Sequence, residues 1–310
     1  MTSLLAWLKL LRIPNHATAV ADVLAGWLVV SKAREIAPLP AAFWWAAAAS
    51  ICLYGAGMVL NDLFDLEIDR EERPERPLPS GLISRSAAAR FGYTLLAGGV
   101  AAAIASSILS GHAATAAVGL LLAAAVWLYD RFAKRSAAGP VVMGSCRGLN
   151  WLLGMTAAGG PAAAYQWLLP AGMGLYACGI TLFARDEAGK PRADRLLFAT
   201  LVMLAGLAAA GLHTILMARA NGGGEWLATG RLQPWLALWA ILAGSILLRN
   251  VLAIAEPSPE RVRTAVGNAI MSIVTLDAVL VLAACGEAWA IATLMLLAVF
   301  LFGRRLAPPT

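Results

Sequence analysis

The chain has 310 residues, 60% of them hydrophobic and only 14% charged, with a mean hydropathy of +0.73 and a formal net charge of +6. Soluble domains carry about 45–50% apolar and ~25% charged residues, so this composition excludes a soluble Rossmann or barrel enzyme, a disordered protein and a disulfide-stapled secreted module. The basic excess does not indicate nucleic acid, because Lys and Arg fill short gaps between apolar runs instead of gathering on one solvated face.

In chain order, the first twenty residues do not read as a cleaved signal peptide. Lys9 and Arg12 follow the first apolar stretch, and Pro14 and Asn15 interrupt the next. A short amphipathic helix at the membrane surface is predicted there. A spanning helix needs ~20 apolar residues, and segments near that length run 15–31, 41–60, 86–109, 112–129, 138–158, 162–183, 195–217, 232–253, 264–284 and 287–303. The last is the shortest, so nine or ten spans are predicted.

With the N-terminus inside, 18 of the 24 basic residues are cytoplasmic. Four (Lys32, Arg34, Arg219 and Arg231) face outside, and Arg147 and Arg249 lie within spans. That asymmetry sets the expected orientation. The long connections 61–85 and 184–194 are then cytoplasmic, so the active face is expected there, with the inner membrane of a bacterium as the site. Cys52, Cys146, Cys178 and Cys285 each lie in apolar runs without metal-ligand spacing and read as packing residues. His16, His112 and His213 form no metal motif. Trp44, Trp45, Trp226 and Trp235 lie near span ends and fit an interfacial aromatic belt.

The densest chemistry follows the second span. In Asn61-Asp62-Leu63-Phe64-Asp65-Leu66-Glu67-Ile68-Asp69, the three aspartates are spaced i, i+3, i+7, which places them on one face of a helix. Clustered carboxylates repel, and a divalent cation relieves that repulsion. Mg²⁺ suits such oxygen ligands together with substrate phosphates. The competing reading is a solvated, mixed-charge helix end, since Arg70-Glu71-Glu72-Arg73 follows. Next, Arg73-Pro74-Glu75-Arg76-Pro77-Leu78-Pro79-Ser80-Gly81 forms a stiff loop whose arginines match phosphate oxygens; the alternative is ordinary positive-inside arginines.

This stretch, from Asn61 through Arg76-Pro77-Leu78-Pro79-Ser80-Gly81 to Ile83-Ser84, resembles the first aspartate-rich motif of the UbiA superfamily of intramembrane prenyltransferases. Arg12-Ile13-Pro14-Asn15 is similar to that family's R-x-x-N element. Tyr129 with Lys134-Arg135 is similar to its tyrosine-and-lysine loop, with one extra residue of spacing. The resemblance implies an all-α, polytopic membrane helical bundle around a central cavity, with residues 1–310 as one integral-membrane domain. It also implies Mg²⁺-dependent transfer of a prenyl group from an isoprenoid diphosphate to a lipophilic, for example aromatic, acceptor within the membrane.

Site residues follow by the same resemblance. Asp62, Asp65, Asp69 and Asp186 would be the catalytic metal ligands. Asn15, Asn61, Arg73, Arg76, Tyr129, Lys134, Arg147 and Asn150 would bind substrate. One departure stands out. The family's second aspartate-rich motif is reduced to Asp186, with Gly189 and Ala193 where further aspartates would stand, a pattern resembling a divergent, EboC-like branch.

Arg147 and Asn150 sit i, i+3 inside a span, where an ionisable group is costly and a functional reading is the default. The alternative is a structural pair with Asp22 or Asp277. Gly144 and Gly148 read as helix packing. These intramembrane charges and the reduced second motif motivate a second functional reading, a non-catalytic lipid carrier or transporter on the same fold.

Overall fold

The computed structural model describes residues 3–33, 35–185, 191–220 and 232–306. Among them it is entirely helical outside the connections. The helices are α1 (Ser3–Leu10), α2 (His16–Ser31), α3 (Ala41–Phe64), α4 (Leu66–Glu72), α5 (Arg85–Ser110), α6 (Ala113–Leu128), α7 (Gly139–Ala157), α8 (Leu168–Ala184), α9 (Ala193–Ala220), α10 (Leu232–Ala255), α11 (Pro259–Cys285) and α12 (Glu287–Leu306). Each predicted span coincides with one long helix to within a few residues. Eight are long and apolar enough to cross a membrane. The other two are α7, which carries Arg147 and Asn150, and α12, whose apolar stretch Glu287–Gly303 is short. In lipid every backbone N–H and C=O needs an internal partner, which leaves helices as the only form for such runs in an all-α chain.

Burial sorts the helices. Central α2 packs on α3, α7, α11 and α12, and α11 also touches α8, α9 and α10. In contrast α5, α6 and α10 turn large apolar side chains outward, among them Ile108, Leu121 and Ile241. Outward apolar residues on an integral, multi-pass membrane protein meet lipid. Trp44 and Trp45 are exposed near the start of α3, as an interfacial belt requires. Trp235 departs from that expectation. It is buried, stacks on Trp239 and donates Nε1–H to the Val279 carbonyl at 2.8 Å, so it belongs to the core between α10 and α11. Trp226 lies outside the described residues.

The small-residue reading of Gly144 and Gly148 holds. A Cβ on Gly148 would stand 2.6 Å from the Pro170 carbonyl oxygen, and one on Gly144 2.5 Å from that of Gly174. Backbone of α8 therefore lies directly against α7. A second apolar cluster fixes the loop after α4: Leu78 and Ile83 are buried with Ala6 and Leu10 of α1 and Val59, Leu60 and Leu63 of α3. Short α1 is thus held against the body by its apolar face. Gly81 closes the loop at φ +77°, where a side chain would be strained.

Candidate active site

Asp62 and Asp69 converge as the helical spacing suggested, and Asp65 departs from it. The helix is interrupted at Asp65 (φ −92°, ψ 0°), between α3 and α4. Asp62 and Asp69 are both buried, and Arg76 from the proline-rich loop lies between them, 2.8 Å from Asp69 Oδ2 and 3.7 Å from Asp62 Oδ1. Arg12 donates to the same Asp62 oxygen at 3.0 Å. Its backbone adopts the left-handed conformation (φ 48°), uncommon for a residue with a side chain, at the junction from which the chain enters α2. Asp65 instead meets Lys134 Nζ at 2.7 Å and the guanidinium of Arg135. Lys134 also reaches the Asn61 carbonyl and side-chain oxygens at 3.4 and 3.3 Å. The three aspartates therefore do not form one solvated stripe; the kink divides them between two sets of cations.

Lys134 arrives from the end of α6, where Tyr129–Ala133 form a wide π turn closed by Lys134 N–H to the Tyr129 carbonyl at 2.9 Å. Such a turn absorbs one additional residue and recurs at functional sites. It accounts for the extra residue between Tyr129 and Lys134. Of the remaining predicted residues, Asn15, Asn61 and Tyr129 line the cavity described below, Arg73 is exposed and Asp186 lies outside the described residues. Arg73 makes no ion pair among the described residues; it caps the end of α4, and the chain turns from there to bury Arg76 instead.

Behind the charged network opens a cavity of about 440 Å³ between α2, α3, α6, α7, α8 and α11. Leu53, Leu122, Val126, Ile180, Val266 and Ile270 make it largely apolar, with Arg12, Asn15, Asn61 and Asp130 forming one polar zone. Asp22, Asn150 and Arg147 form another, about 10 Å away along α2, since Asp22 follows Asn15 by two helical turns. In this second zone Arg147 Nη1 lies 2.5 Å from Asp22 Oδ2 and 3.2 Å from the Thr18 carbonyl. Asn150 donates to Asp22 Oδ2 and to the Ala19 carbonyl, both at 2.9 Å, and accepts from Ser50 at 2.7 Å. The structural pair is formed with Asp22, and its members line the cavity. Arg12 and Arg135, which belong to the recognisable motifs, join the predicted set. Asp130 carried no sequence signal at all.

The donors at the first zone are carboxylate and amide oxygens, the hard ligands Mg²⁺ takes. Among the described residues no three His, Cys, Asp or Glu side chains converge on one ion position. A single carboxylate or a pair completed by substrate phosphate is an ordinary Mg²⁺ arrangement, and Asp62 and Asp69, brought to one guanidinium, fit it.

Comparison with known proteins agrees with this architecture. Digeranylgeranylglyceryl phosphate synthase from Methanocaldococcus jannaschii is 40% identical over 96 residues, covering 31% of this chain and 33% of that protein. The enzyme of the same name from Ignicoccus hospitalis is 30% identical over 131 residues, covering 42% and 40%. The matched stretches thus span less than half of either relative. A solved digeranylgeranylglyceryl phosphate synthase superimposes with a TM-score of 0.66 at 24% identity, over 93% of this chain and all of that one. A UbiA homologue from Archaeoglobus fulgidus bound to GPP and Mg²⁺ does so with a TM-score of 0.58 at 15% identity, over 94% and 99%. Residues 19–273 match the UbiA prenyltransferase family, and with that match over most of its length the chain belongs to this family of prenyltransferases.

Proposed function

We propose that the protein transfers a prenyl group from an isoprenoid diphosphate to a lipophilic acceptor inside the membrane, with Asp62 and Asp69 as metal ligands and Asp65 holding Lys134 and Arg135 beside them. The observation that carries this reading is that the Arg12–Asp62–Arg76–Asp69 network and Lys134 reach an apolar cavity through Arg12 and Asn61, both of which line it. Bound Mg²⁺ would supply charge neutralisation for the leaving diphosphate. Arg12, Arg76 and Lys134 hold fixed positive charge where the diphosphate oxygens become more negative as the C–O bond breaks. Preorganised donors of this kind need no rearrangement during reaction. The apolar wall excludes water from the allylic cation until the acceptor attacks. Arg147 and Asn150 face the acceptor. The relatives are named for a glycerophosphate product; the acceptor class proposed for this protein is a lipophilic molecule. The basic-residue asymmetry supports a cytoplasmic N-terminus and a cytoplasmic 61–85 loop.

The test is diphosphate release from labelled prenyl diphosphates with Mg²⁺ and a panel of lipophilic acceptors. Asp62→Asn is expected to reduce release by about 10²–10³-fold, the scale of losing one electrostatic group at a developing charge. Tight binding of prenyl diphosphate without turnover across the panel would support the lipid-carrier reading instead.

A further inference from the structure

Four carboxylates border the first polar zone, and three are matched. Arg12 serves Asp62, Arg76 serves Asp69 and Asp62, and Lys134 and Arg135 serve Asp65. The fourth, Asp130, is 3% exposed and lines the cavity, and its Oδ2 has no hydrogen-bond partner among the described residues. The basic residues around it in sequence are committed elsewhere: Arg131 lies over the rings of Phe64 and Phe132, Lys134 and Arg135 turn to Asp65, and Arg185 donates to the Ser136 carbonyl. A methyl group on Gly57 would lie 3.8 Å from Asp130 Oδ2, which places this oxygen against α3 one helical turn before Asn61. The π turn that begins at Tyr129 includes Asp130 and carries the chain on to Lys134.

We infer that Asp130 is a ligand of a second divalent cation, bound inward of the Asp62–Asp69 position and completed by diphosphate oxygens. A buried carboxylate oxygen without a hydrogen bond is expensive, and a hard dication with phosphate oxygens in its shell is the ligand that chemistry suits. The inference rests on the proposed diphosphate site. It places the second acidic contribution on the end of α6, in a chain whose sixth-span motif is reduced to a single matching aspartate.

The experiment uses Mn²⁺ as the probe with inorganic diphosphate on the full-length protein in detergent. Crystals of the wild type soaked in both are expected to show two anomalous peaks, one at coordination distance from an Asp130 oxygen. Titration followed by electron paramagnetic resonance should give two Mn²⁺ per protein. Asp130→Asn should weaken the second by about tenfold or more, since even outer-shell changes cost 10–100-fold; Asp130→Glu, which keeps the carboxylate, should retain it. A peak beside Asp62 or Asp69 with none at Asp130, or an Asp130→Asn protein with unchanged stoichiometry and affinity, overturns the inference alone. Absence of any bound ion overturns the diphosphate site together with it.

Discussion

Replacing Arg147 by Met strands a carboxylate in the middle of the bundle. Asp22 is fully buried, and among the described residues Arg147 provides its one ion pair, at 2.5 Å, while also satisfying the Thr18 carbonyl. Removing one member of a buried pair costs about 3–5 kcal/mol. Asn150 still donates to Asp22 at 2.9 Å, so the lower end, about 3 kcal/mol, is expected. Asp22→Leu together with Arg147→Met removes both charges. Replacing a whole buried pair by apolar groups of similar volume is about neutral, so the double variant should recover most of the loss. Unfolding of the four proteins in detergent micelles, by denaturant titration, closes the cycle. A loss below about 1 kcal/mol for Arg147→Met, the worth of an exposed pair, would refute the argument, as would a double variant no more stable than the single. The same proteins separate structure from chemistry. With Arg147 facing the acceptor, the double variant is expected to fold but to show a raised acceptor KM; full recovery of prenyl transfer would show that Arg147 serves only Asp22.

Two further outcomes are expected. Gly148→Leu should destabilise by about 1–3 kcal/mol, because its Cβ meets a backbone oxygen of α8 that cannot swing aside; an unchanged thermal midpoint would show that the two helices separate freely. Ser80→Cys, in the loop after α4, should react with a membrane-impermeant maleimide only in inside-out vesicles or opened cells, whereas labelling of intact cells would reverse the assigned orientation.

The loop Arg73–Gly81 shows how far residue order reaches. Its prolines and glycine were readable as a stiff turn beside the aspartates, and Arg73 and Arg76 looked equivalent. Only packing separates them: Leu78 and Ile83 dock on α3, and the turn they impose buries Arg76 between two aspartates while Arg73 stays outside. Likewise the i, i+3, i+7 spacing anticipated a single helical face, and the interruption at Asp65 split it. Trp235 failed as a belt residue for a similar reason, since nearness to a span end says nothing about which neighbour covers it.

The spans were legible because their cause is local. An apolar run of bilayer length must satisfy its own backbone and so becomes a helix, whatever surrounds it. The local aspartate motif was legible too, since its members lie within eight positions of one another. Asp130 was not. It stands 68 positions beyond Asp62, and its surroundings are set by how α6 lies on α3, how one widened turn directs the chain, and which cations are already spent on other carboxylates. Charge pairing across helices is a property of the assembled bundle, so it was the tertiary structure that decided that Asp130 has an unpaired oxygen at the cavity's first polar zone.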